Sequence, residues 1–142
     1  MIKISRLADY AVVILATMSK TPAELMTAAA LSARTSLPEP TVAKVLKLLS
    51  KDGLLASVRG ASGGYKLSRT ADELSVASIV MAVDGPIALT ACVEGHNSGE
   101  CGYQKCCPVK GRWDHVNSAI LSALTNVTLA DMAQENKGAK AA

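Results

Sequence analysis

The chain of 142 residues has no phenylalanine, one tryptophan (Trp113) and three tyrosines, so aromatics make up only 3% of it. A core without aromatic bulk must be built from Leu, Val, Ile, Ala and Met, which suits packed helices better than a β-sandwich. Long hydrophobic runs are missing too. The longest, Ala11 to Ala16, falls far short of the roughly 20 residues a membrane-spanning helix needs. No succession of basic, apolar and small residues of the secretory type opens the sequence, and the expectation is a cytoplasmic protein with no membrane partner. Cysteine is absent everywhere except between positions 92 and 107, where Cys92, Cys101, Cys106 and Cys107 cluster. A disulfide framework would spread its cysteines, so a metal or redox site is the better reading. The length allows one compact unit with a real core and excludes a large multidomain enzyme. No catalytic constellation is visible, and no enzymatic activity is expected.

Charge is present but unevenly placed. Residues 1–70 carry ten Lys+Arg against four Asp+Glu, a net of +6, whereas residues 71–142 carry five against eight, a net of −3. A basic half on a mildly acidic half suggests that one end meets a polyanion.

Apolar periodicity divides the chain into elements. From Ser5 to Met18, Leu7, Ala11, Ile14, Leu15 and Met18 recur at helical spacing, with Ser5 placed as the cap. A second helical run reaches Ala33 after Thr21-Pro22-Ala23, with Leu25, Met26, Ala29, Ala30 and Leu31 as expected core contacts. A turn through Pro38 leads to a third helix from about Pro40 to Lys51, because proline suits the first helical position. There Val42, Val45, Leu46 and Leu49 form one face and Lys44, Lys47 and Lys51 the other. Two short runs, Leu54 to Val58 and Tyr65 to Leu67, flank Arg59-Gly60-Ala61-Ser62-Gly63-Gly64 and predict a β-hairpin. Helix, turn, lysine-striped helix and glycine-rich hairpin in this order predict a winged helix-turn-helix over 1–70, whose third helix enters a major groove.

Beyond the hairpin a short linking helix with Val76, Ile79, Val80 and Val83 on one face occupies 71–86. The interval 87–110 lacks periodicity and reads as a loop that holds every cysteine. A long helix from about Gly111 to Asn126 follows, with Trp113, Val116, Ile120, Leu124 and Val127 in a stripe, then a short helix capped by Thr128; together they fill 111–134. Residues 135–142 read as a disordered tail. The fold class is thus mainly α with one small β-hairpin.

The cysteine spacing departs from the C-x-x-C pairs of zinc knuckles. Thiolates on a glycine-containing loop suit an iron-sulfur cluster; zinc is an alternative, and so is a thiol-disulfide switch at adjacent Cys106 and Cys107 beside Lys105 and Lys110.

The segments Ile4-Ser5-Arg6-Leu7-Ala8-Asp9-Tyr10-Ala11, Val58-Arg59-Gly60, Gly63-Gly64-Tyr65, Gly85-Pro86-Ile87-Ala88-Leu89-Thr90-Ala91-Cys92 and Cys107-Pro108-Val109-Lys110-Gly111-Arg112-Trp113 give the chain a resemblance to a known family. It resembles the Rrf-two transcription regulators, among them iron-sulfur and nitric-oxide sensors, and most of all a subgroup controlling SUF-type cluster-assembly genes. The resemblance implies an iron-sulfur cluster, 2Fe-2S ahead of 4Fe-4S, held by Cys92, Cys101 and Cys107. It leaves Cys106 as a spare thiol. Where some members place a histidine ligand this chain has Lys110, and Asp9 matches the members that take a carboxylate from the partner's first helix. His96, His115 and Cys106 are the other candidates for a fourth ligand.

The functional expectation is a homodimeric repressor or activator joined through Trp113, Val116, Ile120 and Leu124 and bound to a roughly palindromic double-stranded DNA operator. Thr41, Ala43, Lys44 and Lys47 face the bases or backbone from the third helix, and Arg59, Ser62 and Lys66 from the wing. Pro38, Glu39, Pro40 and Ala43 depart from the longer polar residues that family members carry there. The rival class is a cluster carrier that never meets DNA, for which a basic head has no use.

Overall fold

A computed structural model describes residues 1–93, 101–103 and 105–135. Its elements are α1 (Arg6–Ser19), α2 (Ala28–Thr35), α3 (Glu39–Lys51), β1 (Leu55–Val58), β2 (Gly64–Leu67), a 3-10 turn (Ala71–Glu73), α4 (Val76–Asp84), α5 (Trp113–Asn126) and α6 (Leu129–Ala133).

Local chemistry sets the helix ends. The Ser5 hydroxyl accepts the Ala8 N–H at 3.0 Å and starts α1, and the Thr27 hydroxyl does the same for α2 with the Ala30 N–H at 3.1 Å. Helix α2 stops at Ser36, the one non-glycine residue with positive φ (60°) among the described residues. Pro38 precedes α3, and Pro40 lies in its first turn, where its missing N–H costs nothing. Helices α2 and α3 are therefore joined by Ser36, Leu37 and Pro38 alone, a tight helix-turn-helix.

The apolar stripes then meet. Ile14, Leu15, Leu31, Val42, Val45, Leu46 and Leu49 are fully buried together with Leu74, Ile79 and Leu129, so α4 and α6 share the core of the first three helices. Burying each such side chain stabilises the fold by about 1.5–3 kcal/mol relative to leaving it in water. Helix α6 is tied back by the Leu129 N–H to the Leu74 carbonyl at 2.7 Å. A smaller cluster of Ala8, Val76 and Val80 gathers Val83, Ile87 and Leu124 around it.

The structure corrects two expectations of detail. The second helix begins at Ala28 and continues to Thr35; Met26 is buried in an extended stretch and Ala29 is exposed. The reason is a backbone bridge between Met26 and Tyr65 that holds the chain straight until Thr27 caps the helix. The last major helix begins at Trp113, after Gly111 turns the chain with φ of 74°. At 14 residues it equals α1 in length. The tail beyond Glu135 lies outside the described residues.

Candidate nucleic-acid interface and cysteine loop

Because Val42, Val45, Leu46 and Leu49 point into the core, α3 has to present its other side outward. Lys44, Lys47 and Lys51 are exposed there in one stripe, Thr41 and Ala43 are half-buried, and the three lysines line a shallow depression of about 400 Å³ together with Pro40, Ala43 and Leu48. Among the described residues no acidic side chain lines that depression. A helix with a stripe of cations along its exposed face has the form of one that enters a major groove.

The hairpin stands beside it. Strands β1 and β2 pair antiparallel from Leu55 with Leu67 to Val58 with Gly64, and the turn is closed by the Gly63 N–H to the Gly60 carbonyl at 3.0 Å. Arg59, Ser62 and Lys66 are all exposed. Gly64 is needed for close approach: a Cβ there would lie 2.9 Å from the Met26 carbonyl oxygen. That space is used by paired backbone bonds, Met26 N–H to Tyr65 O at 2.9 Å and Tyr65 N–H to Met26 O at 2.8 Å. The hairpin is thus welded to the residue that precedes the cap of α2.

Between them lies a groove of about 480 Å³ lined by Thr27, Ala28, Arg59, Gly60 and Tyr65. The start of α2, with its partial positive charge, lines the same groove as the arginine. Sequence reasoning missed Thr27 and Ala28; the threonine ahead of an alanine run was the available signal.

Asp9 is exposed in the first turn of α1. It lines an open groove of about 770 Å³ with Lys3, Ser5, Arg6, Val80, Asp84 and Met132, among others. The Ser5 hydroxyl, which caps α1, also donates to Asp84 Oδ1 at 2.8 Å.

All four cysteines are free thiols; Cys92, Cys101 and Cys107 are half-buried and Cys106 is exposed. Cys92 Sγ stands 3.3 Å from Thr90 Oγ1. Cys106, Cys107 and Lys110 sit in successive turns, with the Cys106 N–H on the Tyr103 carbonyl at 3.1 Å. Three sheltered, unbridged thiols are suitable donor chemistry for a soft metal or an iron-sulfur cluster. The arrangement is not gathered, however: among the described residues no group of three His, Cys, Asp or Glu side chains is placed to hold a metal ion. His96 lies outside the described residues, and His115 is exposed on α5.

Of the stripe on α5, Ile120 and Leu124 are half-buried, and Leu124 packs toward Val76 and Val80, while Trp113 and Val116 are 41% and 43% exposed. The buried residue of α5 is instead Asn117, which sequence reasoning passed over because a lone polar residue has no periodicity.

Among the described residues, no helix is long and apolar enough to cross a membrane. Comparison with known proteins agrees with the architecture. CymR (YrzC), the global cysteine regulator of B. subtilis, superposes with a TM-score of 0.71 at 26% identity, covering 94% of this chain and 97% of that one. T. potens IscR gives 0.67 at 26% identity over 92% and 85%. In sequence, the HTH-type transcriptional regulator IscR of Vibrio atlanticus is 35% identical over 89 residues, 63% of this chain and 50% of that protein. That of Erwinia tasmaniensis is 38% identical over 86 residues, 59% of this chain and 49% of that protein. The chain spans about half the length of the curated relatives it matches. The model of a family described as iron-dependent transcriptional regulators matches residues 4–135, and with a winged helix-turn-helix beneath that match the chain belongs to the Rrf2 family.

Proposed function

We propose that the chain is a DNA-binding transcription regulator that acts as a homodimer, each head placing α3 in a major groove and its hairpin on the flanking phosphates or the neighbouring minor groove. The observation that carries this reading is the outward face of α3, with its stripe of exposed lysines and, among the described residues, no acidic residue lining the depression beside them, joined to the hairpin that holds Arg59 through α2 and the Met26–Tyr65 bridge. A two-fold arrangement through α5 would present two such heads to a palindromic operator. The exposed Trp113 and Val116 support that arrangement.

The regulatory part of the reading places an iron-sulfur cluster on Cys92, Cys101 and Cys107 with Asp9 supplied by the partner subunit, and SUF-type assembly genes as targets. The free, half-buried state of these thiols supports it, as does the family description. Such a group, when bound, supplies a redox-labile centre whose loss is felt by every segment that ligates it. The cluster and operator sites would then be coupled reciprocally in affinity. A thiol-disulfide switch is the second reading, favoured by exposed Cys106 next to half-buried Cys107.

The test has two arms. Binding of promoter fragments, followed by fluorescence anisotropy, should weaken steeply with salt, by roughly 0.9 in log–log slope per neutralised phosphate. Arg59→Ala should lower affinity about tenfold and flatten that slope by about one; salt-independent binding would remove the head from DNA. Anaerobic purification with iron and sulfide counting separates the regulatory readings: matched iron and sulfide support the cluster, and colourless protein that responds only to oxidants supports the thiol switch.

A further inference from the structure

Asn117 is 6% exposed, deep under an otherwise half-covered helix. A carboxamide is buried at that cost only when both its donor and its acceptor are used. Its oxygen accepts the Leu89 N–H at 2.9 Å and its nitrogen donates to the Ile87 carbonyl at 3.0 Å. A parallel strand would offer that same pair of bonds around residue 88. One side chain therefore does for the segment 87–89 what an adjacent strand would do, in a region where the described residues provide no strand.

The place of this clamp gives it a purpose. Leu89 is three residues before Cys92, and Ile87 packs in the small cluster with Val76, Val80 and Leu124. On the other side, Asp84 takes the hydroxyl hydrogen of Ser5, the residue that caps α1. The strap 84–89 is therefore fastened at one end to the first helix of the head and at the other to α5. We propose that Asn117 is the positioning residue for the Cys92 thiol, fixing the root of the cysteine loop to α5 so that the loop cannot change without moving that helix or its tie to α1. Its consequence for DNA binding rests on the regulatory reading above; the positioning itself does not.

The test uses the full chain, reduced and metal-free. Amide exchange at Leu89 and mass-mapped alkylation of Cys92 by iodoacetamide are measured in Asn117→Ala and Asn117→Asp, each relative to the unsubstituted protein at the same pH. Asn117→Ala should speed Leu89 exchange about tenfold, as expected for the loss of two net hydrogen bonds, and raise Cys92 alkylation several-fold, with Leu46 exchange in α3 unchanged. A protonated Asp can both donate and accept, whereas an ionised one only accepts. The donation to the Ile87 carbonyl is therefore the bond that ionisation removes, while the Leu89 N–H keeps an acceptor; Cys92 alkylation in Asn117→Asp should match the unsubstituted protein at the acid end of pH 5–8 and rise toward that of Asn117→Ala at the other end, a step that simple packing would not produce. Rates within twofold of the unsubstituted protein in Asn117→Ala, or no pH step in Asn117→Asp, would overturn the assignment. Should Leu46 exchange also rise in Asn117→Ala, the pH step decides. Equal DNA affinity of anaerobically purified, of oxidised and of thiol-blocked, metal-free unsubstituted protein would refute the regulatory reading alone, since exchange and alkylation judge Asn117 without it.

Discussion

Two parts of the molecule use apolar residues in opposite ways. The head made by α1–α3 and the hairpin, backed by α4 and α6, directs Ile14, Leu31, Leu46 and Leu49 into a closed interior and sends its cations outward. Helix α5 has a comparable stripe, yet in a single chain it leaves Trp113 and Val116 in water and buries a carboxamide. The first pattern is that of a finished unit, stable by its own packing. The second is that of an element that leaves part of its apolar stripe uncovered and gives its one buried position, Asn117, to the neighbouring segment 87–89.

The contrast can be broken most directly by core substitution. Leu46→Ala is expected to lose about 2–5 kcal/mol of unfolding free energy, whereas Trp113→Ala should lose less than about 0.5 kcal/mol at concentrations where the chain is a monomer. Urea titrations at several protein concentrations check this, with sedimentation reporting weakened self-association in Trp113→Ala. Equal losses in dilute solution would erase the distinction. Gly64→Ala comes next in size. Its Cβ meets the Met26 backbone, so a cost of about 1–3 kcal/mol is expected, with weaker operator binding than that loss of folded protein alone explains. An unchanged urea midpoint would mean that the bridge does not hold the hairpin. A smaller loss than that of Gly64→Ala is expected in α6, where Thr128 and Asp131 form a reciprocal capping box. Thr128→Ala should lose about 0.5–2 kcal/mol.

That box also has a pH signature. Hydrogen bonds from the Thr128 backbone and side chain hold the Asp131 carboxyl below its ordinary value. A carboxylate whose folded pKa is lowered contributes its stability above the unfolded value and loses it as pH falls through the folded one. The acid limb of the stability curve, below about pH 4, should therefore flatten slightly in Thr128→Ala. An identical limb in both proteins would show that the box is not felt.

What could be read from the residues follows from the range of the forces involved. The burial of Val42, Val45, Leu46 and Leu49, the capping by Ser5 and Thr128, and the hairpin around Gly60 to Gly64 are local patterns, each decided within a few residues of sequence. The Met26–Tyr65 bridge and the Asn117 clamp join positions 39 and about 30 residues apart through single groups, and no periodicity announces them. Met26 was apolar and next to an alanine run, so helical continuation was the natural expectation; tertiary pairing overrode it. For the cysteines, residue type suggested donor chemistry, while among the described residues no group of three donors is gathered to hold a metal ion.

The bridge at Met26 also bears on how an operator is measured. Because the hairpin is stitched to the foot of α2 and α2 passes to α3 through three residues, reading helix and wing behave as the two prongs of one solid calliper. On the DNA-binding reading proposed above, such a head would meet a half-site as one piece. In the proposed homodimer, control over transcription would then act on the gap between two callipers, and changing the number of base pairs between half-sites should alter the response to a signal more than changing the bases within them.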